Sequence, residues 1–238
     1  MKYLLYLFGF LPSIIWLLFY LRKDKHPESN KMVIKIFIFG MISGFVAICL
    51  ERAFQQGQNM LSASFAASSV LAIFFGGALI EELVKYGSAK IGTYRNPELD
   101  EPLDFILYMI ISALGFAALE NILVLSSYHP ILTSAKAFQI LSLRFASATL
   151  LHALCSGAFG YFLALSFFRQ SRRKTYFLIG LGISVVLHGI YNWSIMKIEG
   201  MNKFIIPLMI LVGLGLFVSF GFRKLKKLKS ICIIKEKK

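Results

Sequence analysis

Charge is what this sequence has least of. Only 16% of its 238 residues are Asp, Glu, Lys or Arg, while 57% are hydrophobic; soluble domains carry about 25% charged residues. That shortage excludes an ordinary soluble fold, and apolar runs of about twenty residues recur along most of the chain, leaving no room for a separate soluble domain. Acidic residues are scarcer still, 12 against 26 basic ones, for a net charge of +14. The basic residues form short clusters between apolar runs, the pattern that orients a membrane protein and not one that binds nucleic acid. Cysteine is also sparse. Cys49, Cys155 and Cys232 are far apart, with neither a disulfide framework nor metal-ligand spacing, and read as small apolar fillers. No His-Glu-x-x-His helix is present, so the strongest local signature of a zinc hydrolase is missing. No internal repeat occurs, which withholds support from a transporter built on inverted repeats.

What is present is a series of apolar segments, at about 3–21, 33–50, 62–91, 103–126, 141–168, 175–196 and 204–222. They predict an all-α, polytopic integral membrane helical bundle of about seven transmembrane helices. It forms one membrane-embedded domain, 1–222, with a catalytic core at about 62–197 and a basic cytoplasmic tail, 223–238. An outside amino terminus and a cytoplasmic carboxyl terminus place most of the basic residues inside. The polar stretch from Glu51 to Asn59 is expected to close the second span, with Glu51 and Arg52 as an interfacial pair. The acidic residues before span four are expected to solvate a loop or to cap the helix that carries Asp104 in its first turn.

The ionisable groups inside the spans are not scattered. Glu81, Glu82 and Lys85 fall in the third, Glu120 in the fourth, Arg144 and His152 in the fifth and His188 in the sixth. Each such charge costs about 2.5–3.5 kcal/mol at mid-bilayer on insertion scales, so four helices are expected to share one polar interior. Glu81 and Lys85, four apart, lie on one helical face, with Glu82 turned toward another partner; His188 and Asn192 are likewise four apart. Arg144, Ala148 and His152 step along one face, and Arg144 can snorkel or pair with Glu120. Phe116, one turn before Glu120, reads as packing.

A carboxylate that takes a proton from water, a histidine that orients it, and an amide with an imidazole N–H for an oxyanion are the parts of an amide hydrolase without a covalent nucleophile. The same Glu and His residues could instead hold zinc, the candidates being Glu81, Glu120, His152 and His188. The cofactor is therefore zinc or none. A proton- or ion-coupled transporter using these groups as a relay is the alternative from another class.

Taken in order, Glu81-Glu82-x-x-Lys85, Phe116-x-x-x-Glu120-Asn121, His152 and His188-x-x-Tyr191-Asn192 resemble the PrsW family of intramembrane proteases, and more distantly the CAAX prenyl endopeptidase and Abi superfamily. The resemblance covers 76–193, about half the chain. It implies a bacterial plasma-membrane endopeptidase that cleaves a membrane-anchored protein, an anti-sigma factor in some members, with the lipid bilayer as its medium and no nucleic-acid partner. It also implies catalytic roles for Glu81, Glu82, Glu120, His152, His188 and Asn192, supported by Lys85, Arg144 and Tyr191.

Overall fold

The computed structural model describes residues 4–24, 26–61, 70–93, 96 and 98–227. The expectations for 62–69, Arg95, Pro97, Cys232 and the tail beyond 227 lie outside these residues. Among the described residues every regular element is helical. Helices α1 (Leu4–Leu7) and α2 (Leu11–Leu21) are joined by a single 3₁₀ turn. They are followed by α3 (Asn30–Leu61), a π-helical stretch (Ala72–Leu79) running directly into α4 (Ile80–Gly92), and α5 (Pro102–Ser127). Helices α6 (Ser134–Ala146), α7 (Ala148–Phe168), α8 (Arg173–Lys197) and α9 (Asn202–Leu225) complete the bundle.

Five described segments are long and apolar enough to cross a membrane: Asn30–Gln58, Pro102–Ser127, Ser134–Phe168, Gln170–Lys197 and Asn202–Leu225; Leu5–Leu21 is a shorter apolar helix. The chain is thus a multi-pass membrane protein. The helix of the second span does not end at Leu50 but runs on to Leu61. Glu, Arg, Ala and Gln are good helix formers, so the polarity that ends an apolar run does not end the helix.

Burial separates the layers. The best apolar window of α5 is 94% buried within the protein, whereas that of α9 is 28% buried. Helix α5 is the central post, and glycines let its neighbours reach it. A methyl group at Gly115 would collide with the Phe37 carbonyl of α3, and one at Gly40 with the Ser112 carbonyl of α5. Backbone cannot give way there, so the α3–α5 contact depends on these positions being glycine, as in small-residue packing of membrane helices. The start of α5 carries a capping box between Glu101 and Asp104 behind Pro102, the expected capping role for those acidic residues.

The fifth span is not one helix. Ser147, at φ −128° and ψ −92°, separates α6 from α7. The break leaves the Phe145 carbonyl without its helical donor, and the Trp16 indole N–H donates to it at 2.9 Å while the two rings stack 5.1 Å apart.

One end of the bundle gathers α2's end, α3's start, α4's end, α5's start, α7's end, α8's start and α9's end. Lys35 Nζ donates to the Gly92 carbonyl at 2.8 Å, Ser29 to Glu98 at 3.0 Å, and Tyr20 stacks on Phe222 at 6.0 Å. The ionisable residues within the spans lie deeper. At about 1.5 Å per residue, His188 stands about 22 Å along α8 from Arg173.

Candidate active site

Four elements converge on a buried polar centre, and the local sequence explains how they come so close. Phe74 of the π-helical stretch lies over Gly189, where a β-carbon would stand 2.5 Å from its ring, and the Phe54 ring of α3 lies likewise over Gly76. These two glycines let the Ala72–Leu79 stretch seat itself between α3 and α8, placing the first turn of α4 beside His188. π-Helical insertions are frequent at functional sites because they re-aim the residues that follow.

Lys85 is the hub, with no solvent exposure. Its Nζ donates to Glu82 Oε1 at 2.8 Å, to Glu81 Oε2 at 3.3 Å and to His152 Nδ1 at 2.9 Å, and sits 4.5 Å from the centre of the Phe116 ring. Phe116 is therefore more than filler, since its face meets the ammonium. The spacing argument pairs Lys85 with Glu81, four residues away; the shorter contact is to Glu82, three away. Glu82 is fully buried and saturated, for its Oε2 also accepts from Ser156 at 3.0 Å and its Oε1 meets His188 Nδ1 at 3.0 Å. Glu81 is the one that faces the histidines, with Oε2 3.7 Å from His152 Nδ1 and 3.8 Å from His188 Nε2.

Partners assign the ring protons. An ammonium can only donate, so His152 presents its Nδ1 lone pair to Lys85 and its Nε2–H donates to Glu120 Oε2 at 2.8 Å. His188 Nδ1–H donates to Glu82, which leaves its Nε2 lone pair toward Glu81. The two rings are nearly perpendicular, with centroids 5.1 Å apart. Arg144 Nη2 donates to the same Glu120 Oε2 at 2.7 Å, and its Nε donates to Asn121 Oδ1. Arg144 and His152 meet at one oxygen from separate helices, not along one helical face, because of the break at Ser147. Asn121 is also held by the Gly9 carbonyl and Thr149, and so positions Arg144.

Two expected site residues lie outside this hydrogen-bond network. Asn192, one turn beyond His188 and partly exposed, makes no side-chain hydrogen bond among the described residues. Tyr191 is 2% exposed, and its hydroxyl lies near Ser147 without the geometry of a hydrogen bond. Sequence reading missed Glu51. It shares an inward stripe of α3 with Gly44, which abuts Leu119, and with Phe54 over Gly76, and its carboxylate is within electrostatic reach of Glu81, Glu120 and Lys85. The signal was the stripe Gly40, Gly44, Ala47, Glu51, Phe54 at helical spacing.

Glu81, His152 and His188 each offer a ligand atom, all within 4.8 Å of one another. Both imidazoles donate their remaining N–H to a carboxylate, the arrangement that orients metal-ligating histidines. The charges agree: Lys85, shared by Glu82 at 2.8 Å and Glu81 at 3.3 Å, and Arg144, on Glu120, are two cations against the four carboxylates of Glu51, Glu81, Glu82 and Glu120 among the described residues, an excess of negative charge that a divalent cation would balance. The residues fit a divalent cation.

A multi-pass helical bundle whose spans enclose a convergent set of Glu and His side chains is the arrangement expected of a membrane-embedded hydrolase. The chain matches the family described as PrsW family intramembrane metalloprotease over residues 28–220 and belongs to that family. It is thus an intramembrane peptide hydrolase of the bacterial cell membrane, and its family does not favour the transporter alternative. Among its relatives is Protease PrsW of Geobacillus kaustophilus, 29% identical over 76% of this chain and 74% of the relative. Protease PrsW of Bacillus subtilis is 27% identical over 94% of each chain, and that of Clostridioides difficile is 25% identical over 82% and 81%. No solved structure gives a significant match.

Proposed function

We propose that this protein cleaves a membrane-anchored protein substrate at a zinc centre held by Glu81, His152 and His188. The observation that carries this reading is the pair of imidazoles whose unprotonated nitrogens lie 3.7 and 3.8 Å from Glu81 Oε2 while their N–H groups are tied to Glu82 and Glu120. Bound zinc would supply a Lewis acid for the attacking water and the scissile carbonyl. Everything else falls to the chain. Glu82, neutralised by Lys85 and held by Ser156, fixes the tautomer and angle of His188. Glu120, held by Arg144, does the same for His152. Asn192, with its amide unengaged, donates to the scissile carbonyl oxygen as it becomes negative. Lys85 Nζ holds both His152 Nδ1 and Glu82 Oε1, so a cation held by His152 Nδ1 would have to take that nitrogen from the ammonium, which would keep its Glu82 partner.

The metal-free version assigns the same residues differently, with Glu81 as the base that takes a proton from water. Metal content separates the two. Purified, folded wild-type protein should carry about one zinc per chain, and His152→Ala and His188→Ala should lose it together with cleavage. Glu120→Gln should keep the fold but bind zinc about 10–100-fold more weakly in competition with a chelator. Cleavage that survives exhaustive chelation in zinc-free protein would establish the glutamate version instead.

The substrate we propose is a single-span membrane protein, with a membrane-anchored anti-sigma factor as the first to test. We also propose that the amino terminus faces outward and the basic end of the bundle faces the cytoplasm, supported by the gathering of Arg22, Lys23, Lys31, Lys90, Arg169 and Arg173 at one end.

A further inference from the structure

We propose that a cleft at the basic end of the bundle, apart from the catalytic centre and independent of how that centre works, is a binding site for an anionic phospholipid. The cleft has a volume of about 790 Å³ and lies between the C-terminal ends of α4 and α7 and the N-terminal ends of α5 and α8. Its polar rim is formed by Lys90, Gln170, Arg173 and Lys174. Its walls are apolar, with Phe105, Phe167, Phe177 and Leu178 among them. None of Glu81, Glu82, Lys85, Glu120, His152 or His188 lines it.

Charge is what selects the ligand. Among the described residues no carboxylate lines the cleft, although Glu98, Glu101 and Asp104 sit at the same end of the bundle. Those acids are engaged elsewhere, Glu98 by Ser29 and Glu101 with Asp104 in the α5 capping box. Among the described residues Lys90, Arg173 and Lys174 form no salt bridge, and Lys90 meets only the Tyr86 ring, 5.6 Å away. Three cations are thus held over a cavity whose remaining surface is suited to hydrocarbon.

A free phosphate or a soluble acidic peptide would use the rim and leave the walls wet. A phospholipid uses both: its phosphate meets Arg173, Lys174 and Lys90, and an acyl chain lies along Phe105 and Phe167. The depth is right, because this is the end where the helices of a membrane-spanning bundle terminate in basic residues, at headgroup level. Basic pockets between transmembrane helices bind anionic headgroups by this combination. A net-neutral phosphatidylcholine would meet the same walls without matching the net positive rim.

The test uses delipidated full-chain protein in detergent, titrated with phosphatidylglycerol or phosphatidylcholine and read by native mass spectrometry and thermal unfolding. Phosphatidylglycerol should give a one-to-one adduct and raise the unfolding temperature, with phosphatidylcholine about tenfold weaker or more. The variants R173E/K174E, and R173Q/K174Q should the reversal fail to fold, should lose that preference while their lipid-free unfolding temperature stays near wild type. Lys203→Glu, at the opposite end of the bundle, should retain it. Equal binding of the two lipids, or an unchanged preference in a folded Arg173/Lys174 variant, overturns the proposal. Glycerol phosphate or a soluble acidic peptide protecting as well as the lipid overturns it too, in favour of a free anion or a protein tail.

Discussion

Lys85 shows how much one side chain decides at this centre. An ammonium with no solvent exposure lies between two carboxylates, an imidazole and an aromatic face. Desolvating such a group is expensive, and breaking a buried pair by deleting one partner typically costs about 3–5 kcal/mol because the other charge is left unanswered. Lys85→Met is therefore expected to destabilise the protein by about that amount, measured by thermal or denaturant unfolding in detergent. The double variant Lys85→Met/Glu82→Gln should recover most of the loss, since it leaves no unpaired charge at position 82. A double variant no better than the single would mean that Lys85 acts mainly through Glu81 or His152. Sequence spacing pairs Lys85 with Glu81, and that contact is present at 3.3 Å, but the shorter one, 2.8 Å, is to Glu82. An i,i+4 rule ranks backbone positions, whereas the ammonium goes where the surrounding helices leave an acceptor, and α7 and α8 bring Ser156 and His188 to Glu82.

At the scale of elements, two features decide the site's geometry, and both were silent in the hydropathy. The stretch Ala72–Leu79 is apolar on every side, so nothing in its pattern distinguishes a π turn from an α turn. The Ser147 break lies within an apolar run and is maintained from outside, by Trp16 on the Phe145 carbonyl. Helix packing makes its own prediction. Gly115→Ala puts a methyl group against the Phe37 carbonyl, and overpacking of that kind costs about 1–3 kcal/mol. Gly213→Ala, at a position with open space around it, should be close to neutral in the same unfolding assay. Equal effects would show that the α3–α5 approach is not limited by that glycine.

The loop between α2 and α3 carries a pH response. Burial pushes the Glu28 carboxyl up to about 7, and the charges of Glu98 and Asp24 add to this while the neighbouring Tyr108 and Asp104 side chains oppose it. A carboxyl whose folded value is raised favours its protonated form in the fold. Its contribution is fully present below the ordinary value near 4.5 and is lost as pH rises through about 7. Between pH 5 and 8 the wild-type unfolding temperature should therefore fall relative to Glu28→Gln. Parallel curves for the two proteins over that window would remove Glu28 as the cause.

For the whole molecule, the arrangement is a central post, α5, ringed by helices whose outer faces are exposed and apolar, with the polar centre held deep between them. Basic residues collect at one end, and the proposed topology follows from them. A fluorescent protein fused to the carboxyl terminus should fold and fluoresce inside the cell, and a reporter active only outside should work at the amino terminus. The reverse result would invert the orientation and place the basic cleft on the outer surface.

The sequence by itself determined the class of the fold, the apolar runs and the set of ionisable residues within them. Long apolar runs can be satisfied only by membrane helices, and an ionisable group inside one is costly enough to be informative wherever it stands. Order along the chain was enough to mark the family. The tertiary structure decided which of these groups touch: Glu82 as the saturated support, Glu81 facing two imidazole lone pairs, Arg144 and His152 meeting on one oxygen of Glu120, and Glu51 turned inward. Those contacts depend on helix rotation and on breaks of one residue, set by glycines, a π stretch and a distant indole. A rotation of a fraction of a turn changes a partner without changing the hydropathy of a span.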